Sequence, residues 1–367
     1  MTTGARARIL PDALLHNLDV IRRGAPGTRV LAAVKGNAYG HGLLTVASAL
    51  QAADAFAVAR LAEARTLRDG GIDSPLVLLA GVLDRRELDE ALALNCELVV
   101  HTESQLDMLE AASGFRLAVW LKVDTGMHRL GFSAEQAPAV IRRLRQCDTV
   151  GTLRLMTHLA AADEREDAMT PRQFDSFLGV SRGFDGDVSI ANSAGLLDWP
   201  QGAAGAALWG NSGAVWVRPG IALYGISPFA DRTGADLGLR PAMQFESRLV
   251  DVKPAARGAR VGYGRGWRPA VDTVLGIVAA GYGDGYSRFL PSGTPLLVNG
   301  RRVPLAGIVS MDLAAVDLGP GATERVGDPV TLWGSGLPVE EVARAAGTIP
   351  YQLVTGVLHR EAPRIDG

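Results

Sequence analysis

Lys35 closes the apolar run Val30–Val34 and is followed at once by Gly36-Asn37-Ala38-Tyr39-Gly40-His41-Gly42. A lysine delivered by a buried strand is costly unless its amine is paired, deprotonated or covalently used. In that setting it is a candidate Schiff-base former at the start of a glycine-loosened loop. Other polar residues stand at the ends of apolar runs in the same way. Asp124 and Arg129 follow Leu117–Val123, His158 ends Gly151–His158, Asn192-Ser193 close the run begun at Val188, and Arg218 follows Ala214–Val217. Each has a plain reading of its own: His158 as a satisfied core histidine, Arg218-Pro219-Gly220 as a turn, Ser193 as the cap of the next helix. Singly those readings prevail; gathered on one face they do not. Ser193 and the Arg218-Pro219-Gly220-Ile221 segment would also offer backbone N–H groups to a phosphate.

The elements that must carry these residues alternate. Apolar strands are predicted at Val30–Val34, Phe56–Ala59, Leu76–Ala80, Leu98–His101, Leu117–Val123, Gly151–His158, Val188–Asn192 and Ala214–Val217. Amphipathic stretches at Leu43–Gln51, Leu61–Asp69, Arg85–Leu94, Ser104–Ala112, Ala134–Gln146 and Pro171–Gly183 separate most of them. Strand then helix, repeated about eight times, predicts an α/β fold with a parallel (β/α)8 TIM-type barrel, whose active sites lie at the C-terminal ends of the strands. A doubly wound open sheet has the same linear pattern. After Tyr224-Gly225 the character changes: Ile226 to Arg240 reads as a linker, and the strands beyond it are short and β-branched (Ser247–Val252, Val274–Ala279, Pro295–Val298, Leu313–Asp317, Pro329–Leu332). Turn pairs Asn299-Gly300 and Pro320-Gly321 separate some of them, and one helix is expected at Val339–Ala346. We therefore expect a barrel over residues 1–229 and a mainly antiparallel β domain over residues 230–367.

Composition excludes several classes. The 367 residues are 47% hydrophobic and 21% charged, with a formal net charge of -2, so nothing electrostatic recruits nucleic acid or an anionic membrane. Two distant cysteines, Cys96 and Cys147, make no zinc pattern. Met1 to Arg8 has no apolar stretch behind it, and no run approaches a membrane span, so a cytoplasmic protein is expected. The Gly262-Tyr263-Gly264-Arg265-Gly266 segment lacks the strand–turn–helix context of a dinucleotide site.

A Schiff-base lysine together with a phosphate subsite points to pyridoxal 5'-phosphate. The motifs AVKGNAYGHG (33–42), LKVDTGMHRLGF (121–132), MTHLAAADE (156–164), IANSAG (190–195), VRPGIALYG (217–225), VGYG (261–264), GYGDGY (281–286), VSMD (309–312) and IPYQLVTG (349–356) resemble, in order, those of the bacterial alanine racemases. The resemblance implies a pyridoxal phosphate-dependent isomerase that interconverts L- and D-alanine for peptidoglycan. It implies that Lys35 carries the cofactor as an internal aldimine, and that Tyr39, Ser193, Gly220, Ile221 and Tyr351 hold its phosphate. Arg218 is implied at the pyridine nitrogen, supported by His158, and Arg129 near the phenolic oxygen and the substrate carboxylate. Tyr263 is the implied second base, the Met311 backbone helps bind the carboxylate, and Tyr282 and Tyr351 narrow the entrance. A head-to-tail homodimer, each site completed by Tyr263 and Met311 of the partner chain, is implied as well.

The chemistry asks for this set. Racemisation removes the α-proton on one face and returns a proton on the other, so two bases are expected. A tyrosine, ordinarily titrating near ~10, needs neighbouring positive charge to act as one, and Arg218 and His158 are the sources in view. Arginine stays protonated, so it donates to a pyridine nitrogen without protonating it and keeps the ring a weaker electron sink. Lys122 stands where several relatives carry a carbamylated lysine; the alternative is a lysine paired with a nearby carboxylate. The sequence departs from the usual pattern at Gly36 and in the tail from Leu358 to Arg364. A decarboxylase or a broader-specificity racemase of the same fold, a non-catalytic pyridoxal phosphate-binding protein and a cofactor-free phosphosugar isomerase are the other readings. Arg218 argues against the decarboxylase, and the β domain with Tyr263 and Met311 argues against the binding protein.

Overall fold

The computed structural model describes residues 4–202, 206–264, 266–358, 360 and 364–365. The chain divides into two compact units. One comprises Leu15–Ala38 and Leu43–Leu223; the other comprises Met1–Leu14, Tyr39–Gly42 and Tyr224–Gly367.

The first strand, β1 (Arg6–Ile9), belongs to the second unit and is taken up there. The first unit contains β2 (Arg29–Ala33), β3 (Ala55–Val58), β4 (Leu76–Leu78), β5 (Cys96–Val100), β6 (Leu117–Asp124), β7 (Phe132–Ser133), β8 (Val150–Met156), β9 (Val188–Ser189) and β10 (Val215–Val217). The pairings run β2-β3-β4-β5-β6-β8-β9-β10 and return from β10 to β2, all parallel, so the sheet is a closed eight-stranded barrel and not an open one. Helices Leu43–Ala49, Leu61–Asp69, Arg85–Ala93, Glu103–Glu110, Ala137–Gln146 and Met169–Ser181 follow successive strands. They form where apolar residues recur at helical spacing, as Val140, Ile141 and Leu144 do on the buried face of Ala137–Gln146. Both faces of a barrel strand are covered, so the strands read as continuous apolar runs. β7 is a two-residue addition that pairs with the end of β6 (Val123 opposite Phe132, Asp124 opposite Ser133) and ties down the segment between them.

The second unit is built on β11 (Met243–Ala255), a long strand that changes partners along its length. Its start pairs antiparallel with β1 and with β16 (Pro329–Trp333), and its end with β12 (Thr273–Val278), which in turn pairs with β15 (Ala314–Gly319). A bulge between Leu249 and Asp251 marks the change. β13 (Pro295–Val298) and β14 (Arg301–Pro304) form a hairpin at Asn299-Gly300, both with positive φ (49° and 78°), as a tight two-residue turn demands. Helices Val339–Ala345 and Pro350–Thr355 complete the unit.

Two expectations change. Ile226 to Arg240 is not a loose linker: Ser227, Phe229 and Leu239 are buried, and its ends close on each other so tightly that a Cβ on Gly225 would lie 1.6 Å from the Arg240 carbonyl oxygen. Its apolar residues are too irregularly spaced to show a period, yet they pack a compact loop. The segment after Lys35 is not slack either. Gly36, Asn37, Ala38 and Tyr39 all take left-handed φ (65°, 53°, 53° and 52°), a taut turn in which three non-glycine residues hold a disfavoured conformation. Of the C-terminal tail, His359 and Glu361–Pro363 lie outside the described residues.

Candidate active site

The turn after β2 is braced by side chains. The Glu63 carboxylate accepts the Gly36 N–H through Oε1 (2.6 Å) and the Ala59 and Arg60 N–H groups through Oε2 (2.8 and 3.2 Å). The Asn37 Oδ1 accepts the Leu43 N–H at 2.8 Å. Lys35 is thereby fixed in its backbone while its side chain stays half-buried. Burial, then the Arg129 charge, pushes the Lys35 amine below its ordinary pKa; Arg218 adds to this and Glu63 opposes it.

Lys122 lies on the same face of β6 as Asp124, two residues on. Burial, with Arg218, Arg129 and Lys35 close by, depresses its amine far below the ordinary range, against a smaller pull from Asp124. His158, beyond the end of β8, is driven well down by burial and by Lys122, Arg218, Arg129 and Lys35, so it is a neutral imidazole at neutral pH. Asp124 shapes the loop that carries Arg129. Its Oδ1 accepts the N–H groups of Gly126 and His128 at 3.0 Å each, and His128 Nδ1 lies 3.2 Å from Oδ2.

Arg218, 7% exposed, is the most enclosed cation of the group. It donates to Ser189 Oγ (2.5 Å), to the Thr157 carbonyl and to the Ile190 carbonyl (3.2 Å). Ser189 Oγ donates onward to the Trp216 carbonyl at 2.6 Å. Burial lowers the guanidinium to about 10, which leaves it charged at neutral pH. Ser193 does not cap its helix. The Asn192 side chain does that, accepting the Gly195 N–H at 2.9 Å, and the Ser193 hydroxyl instead accepts the N–H groups of Gly220 (2.9 Å) and Ala222 (3.3 Å). Ser193, Gly220 and Ile221 thus form one buried patch after the last two barrel strands.

The second unit groups the remaining residues. Tyr39 and Tyr351 approach with ring centroids 6.1 Å apart, and burial raises the Tyr39 phenol to about 12. Tyr263, Tyr282 and Met311 are drawn onto an exposed face. The Arg288 guanidinium lies 5.7 Å from the Tyr263 ring centre and 6.0 Å from that of Tyr282. The Tyr282 N–H donates to the Ser310 carbonyl (3.0 Å) and the Gly283 N–H to the Met311 carbonyl (2.8 Å). Gly281 permits this approach, since a Cβ there would lie 2.2 Å from the Met311 carbonyl oxygen.

Residues 9–228 match the family description "Alanine racemase, N-terminal domain", and residues 242–365 match "Alanine racemase, C-terminal domain". The chain is 48% identical over 358 residues to the alanine racemase of Aeromonas hydrophila, covering 97% of this chain and 98% of that one. It is 49% identical over 350 residues to one from Vibrio vulnificus, covering 95% of each. Among solved structures, the biosynthetic alanine racemase of Pseudomonas aeruginosa superposes with a TM-score of 0.93 at 43% identity over the whole of both chains. The chain belongs to the alanine racemase family.

Three residues of this alanine racemase family member brace or face the candidate site residues without having stood out in the sequence. Glu63 is a carboxylate three residues after Arg60, a helix-start spacing that reads only as a cap. Gln173 is fully buried: its amide accepts the Ala160 N–H (2.8 Å) and donates to the His158 carbonyl (2.9 Å) and to Thr125 Oγ1 (3.1 Å), binding the ends of β6 and β8. Arg288 supplies a cation to Tyr263 from within its own unit, a source other than the Arg218 and His158 expected from sequence.

Proposed function

We propose that Lys35 and Tyr263 are the two bases of an alanine racemase whose barrel mouth holds pyridoxal 5'-phosphate. The chain is a pyridoxal phosphate-dependent isomerase that interconverts L- and D-alanine, the source of D-alanine for peptidoglycan. The observation that carries the residue assignment is the concentration of Lys35, Lys122, Arg129, His158 and Arg218 within electrostatic reach of one another. The nearby carboxylates, Glu63 and Asp124, are already tied to backbone N–H groups. Such a cluster is complementary to an anionic ligand, and pyridoxal phosphate fits it. A phosphate, a phenolate, a ring nitrogen that accepts a hydrogen bond and an aldehyde answer to the Ser193–Gly220–Ile221 patch, Arg129, Arg218 and Lys35.

When bound, the cofactor withdraws electrons from the attached amino acid and acidifies its α-hydrogen. Lys35, its amine pushed below its ordinary pKa by burial and the Arg129 charge, takes the α-proton of D-alanine or returns a proton to that face. Tyr263 serves L-alanine on the opposite face. Arg218, fixed by three acceptors, donates a hydrogen bond to the ring nitrogen and keeps its own proton. His158 supports Arg218 as a neutral neighbour. Arg129 and the Met311 backbone orient the substrate carboxylate. Tyr39, Ser193, Gly220, Ile221 and Tyr351 hold the phosphate, and Tyr282 and Tyr351 narrow the entrance.

Lys122 is the proposed carbamylation site. A neutral buried amine adds to carbon dioxide and releases a proton, and the resulting anion would offset the surrounding cations and position Arg129. We assign the cofactor to a domain of residues 1–229 and Tyr263 and Met311 to one of residues 230–367. The protein acts as a cytoplasmic homodimer in which Tyr263 and Met311 serve the partner chain. In support, Tyr263 and Met311 are 62% and 53% exposed. Among the described residues no helix is long and apolar enough to cross a membrane.

The test of the activity is incubation of the yellow holoenzyme with L-alanine in D2O. Formation of D-alanine carrying deuterium at the α-carbon is expected; D-alanine that keeps protium there, or none at all, contradicts the reading. For the dimer, Lys35→Ala and Tyr263→Phe proteins are mixed under subunit exchange. Hybrid dimers regain one intact site if the two residues meet in trans, and no recovery after proven exchange argues for a site within one chain.

A further inference from the structure

The second unit holds a partly open cavity of about 200 Å³ whose lining includes none of the residues assigned above to the cofactor or the substrate. Three rings and a thioether, those of Tyr224, His41, Trp333 and Met243, stand in its wall among glycine, proline and aliphatic residues. Trp333 Nε1 donates to Met243 Sδ at 3.4 Å, so the indole edge and the thioether stand together at the wall. One charged group reaches the lining. Glu340 is only 6% exposed, and its Oε1 accepts the N–H groups of both Ser227 (2.9 Å) and Gly234 (2.8 Å). A carboxylate has two oxygens with about four acceptor positions. With both of these bonds on Oε1, Oε2 can take a donor that a ligand brings.

We propose that this cavity is a second ligand site, built for a flat aromatic compound of one or two fused rings carrying a single N–H or O–H donor for Glu340. The size suits this class: an apolar cavity of about 150 Å³ accommodates benzene. The three rings and the Met243 thioether offer an aromatic occupant stacking and edge contacts that an aliphatic one would not gain, and Glu340 favours a donor over a plain hydrocarbon and repels an anion.

The site is mechanically joined to two tyrosines. The Tyr224 ring stacks on Tyr39 at 4.9 Å and an angle of 29°, with His41 against it at 4.5 Å. Val354, also in the lining, lies on the Pro350–Thr355 helix that carries Tyr351. That helix packs so closely on Gly40 that a Cβ there would lie 1.9 Å from the Val354 carbonyl oxygen. A ligand that fills the cavity holds Tyr224 and this helix in place, and with them Tyr39 and Tyr351. This second step rests on the assignment of those tyrosines to the cofactor phosphate; the binding site does not.

The experiment uses the holoenzyme with indole as probe and indene, its isostere without the N–H, as control. Saturable indole binding is expected by calorimetry, with a dissociation constant on the order of 0.1–1 mM. Glu340→Gln keeps an oxygen for the two backbone N–H groups but puts an amide NH2 at the second position. It should weaken indole about tenfold and leave indene unchanged. Val339→Phe, filling the cavity from its wall, should abolish both; racemase activity without ligand confirms that each variant is folded. Should Val339→Phe fail to fold, nuclear Overhauser contacts from indole to Tyr224 and Trp333 in the unmutated protein locate the ligand. Indole should also slow loss of the cofactor on dilution by at least about fivefold. No saturable binding, or binding indifferent to Glu340→Gln and remote from Tyr224 and Trp333, overturns the site. Binding with the expected pattern but unchanged cofactor loss overturns the link to the tyrosines alone.

Discussion

The two ends of the barrel handle charge in opposite ways. Toward the N-terminal ends of the strands, Arg154 lies between Glu97 (2.6 Å) and Asp187 (3.3 Å), and Arg29 lies 3.7 Å from Asp187. Two indoles complete the arrangement: Trp120 Nε1 donates to Glu97 (2.7 Å), Trp216 Nε1 donates to Asp187 (2.8 Å), and Arg154 stacks over both rings. Two cations face two carboxylates, each carboxylate also held by an indole N–H. At the C-terminal ends, Lys35, Lys122, Arg129, Arg218 and His158 crowd together, and burial with neighbouring charge lowers Lys35, Lys122 and His158 while burial lowers Arg218. The same strands serve both ends. Trp120 and Lys122, Trp216 and Arg218, and Arg154 and His158 lie on like faces of one strand or its extension, an even number of residues apart. The neutralised end ties barrel strands to one another; the end with excess positive charge is complementary to an anion and is the end at which barrels place their active sites.

Substitutions at the two ends should therefore fail differently. The largest effect is expected from Lys35→Ala, which should lose the yellow colour and at least about 10^3-fold in activity with the thermal midpoint of the cofactor-free protein preserved. Arg154→Met should do the reverse. It removes the cation that faces Glu97 and one of the two that face Asp187, and should cost about 2–4 kcal/mol in denaturant unfolding, somewhat below the range for a fully buried pair because all three groups touch solvent. Its kcat/KM below the transition should stay within about twofold of the unmutated enzyme. If Arg154→Met lowered activity without lowering stability, the division of labour between the two ends would be wrong. Arg218→Glu should reduce racemisation about 10^2-fold and raise transamination relative to it, measured as pyruvate formed per turnover, because a carboxylate there favours the protonated ring.

The smallest effect is a pH dependence. Unfolded lysine and histidine bind protons up to their ordinary values of 10.5 and 6.5, whereas the folded, cofactor-free chain releases those of Lys35, Lys122 and His158 earlier. Between the folded and unfolded values the unfolded chain holds more protons, so stability rises with pH, each group contributing at most about 1.4 kcal/mol per pH unit. The His158 part acts below 6.5 and the lysine part acts below 10.5. The thermal midpoint of cofactor-free protein should climb from about pH 7 to 9, and Lys122→Met should flatten the climb. Equal slopes in the two proteins would show that Lys122 is not the strained group.

The catalytic end was far more legible than the neutral end. Each mouth residue interrupts the chain at the end of an apolar run, and the runs themselves locate the barrel strands to within a few residues. Glu97, Arg154 and Asp187 lie within or beside short strands, where a lone charge reads as an edge, and only closure of the sheet brings them together. The left-handed turn after Lys35 was hidden for a related reason. Asn37, Ala38 and Tyr39 do not ask for positive φ; Glu63 and the Asn37 amide brace it there. β1 escaped notice because Arg6-Ala7-Arg8-Ile9 is too short a pattern without β11 beside it. Ser193 was recognised as a residue of the site, but its freedom to face Gly220 depends on Asn192 capping the helix in its place.

The central claim, that Lys35 and Tyr263 each serve one face of the substrate, is tested most directly by α-proton exchange in Tyr263→Phe enzyme incubated in D2O with each enantiomer separately. The account predicts that D-alanine still exchanges its α-proton for deuterium through Lys35, that L-alanine does not, and that racemisation falls by at least about 10^3-fold. Exchange of L-alanine at the rate of the unmutated enzyme would contradict it.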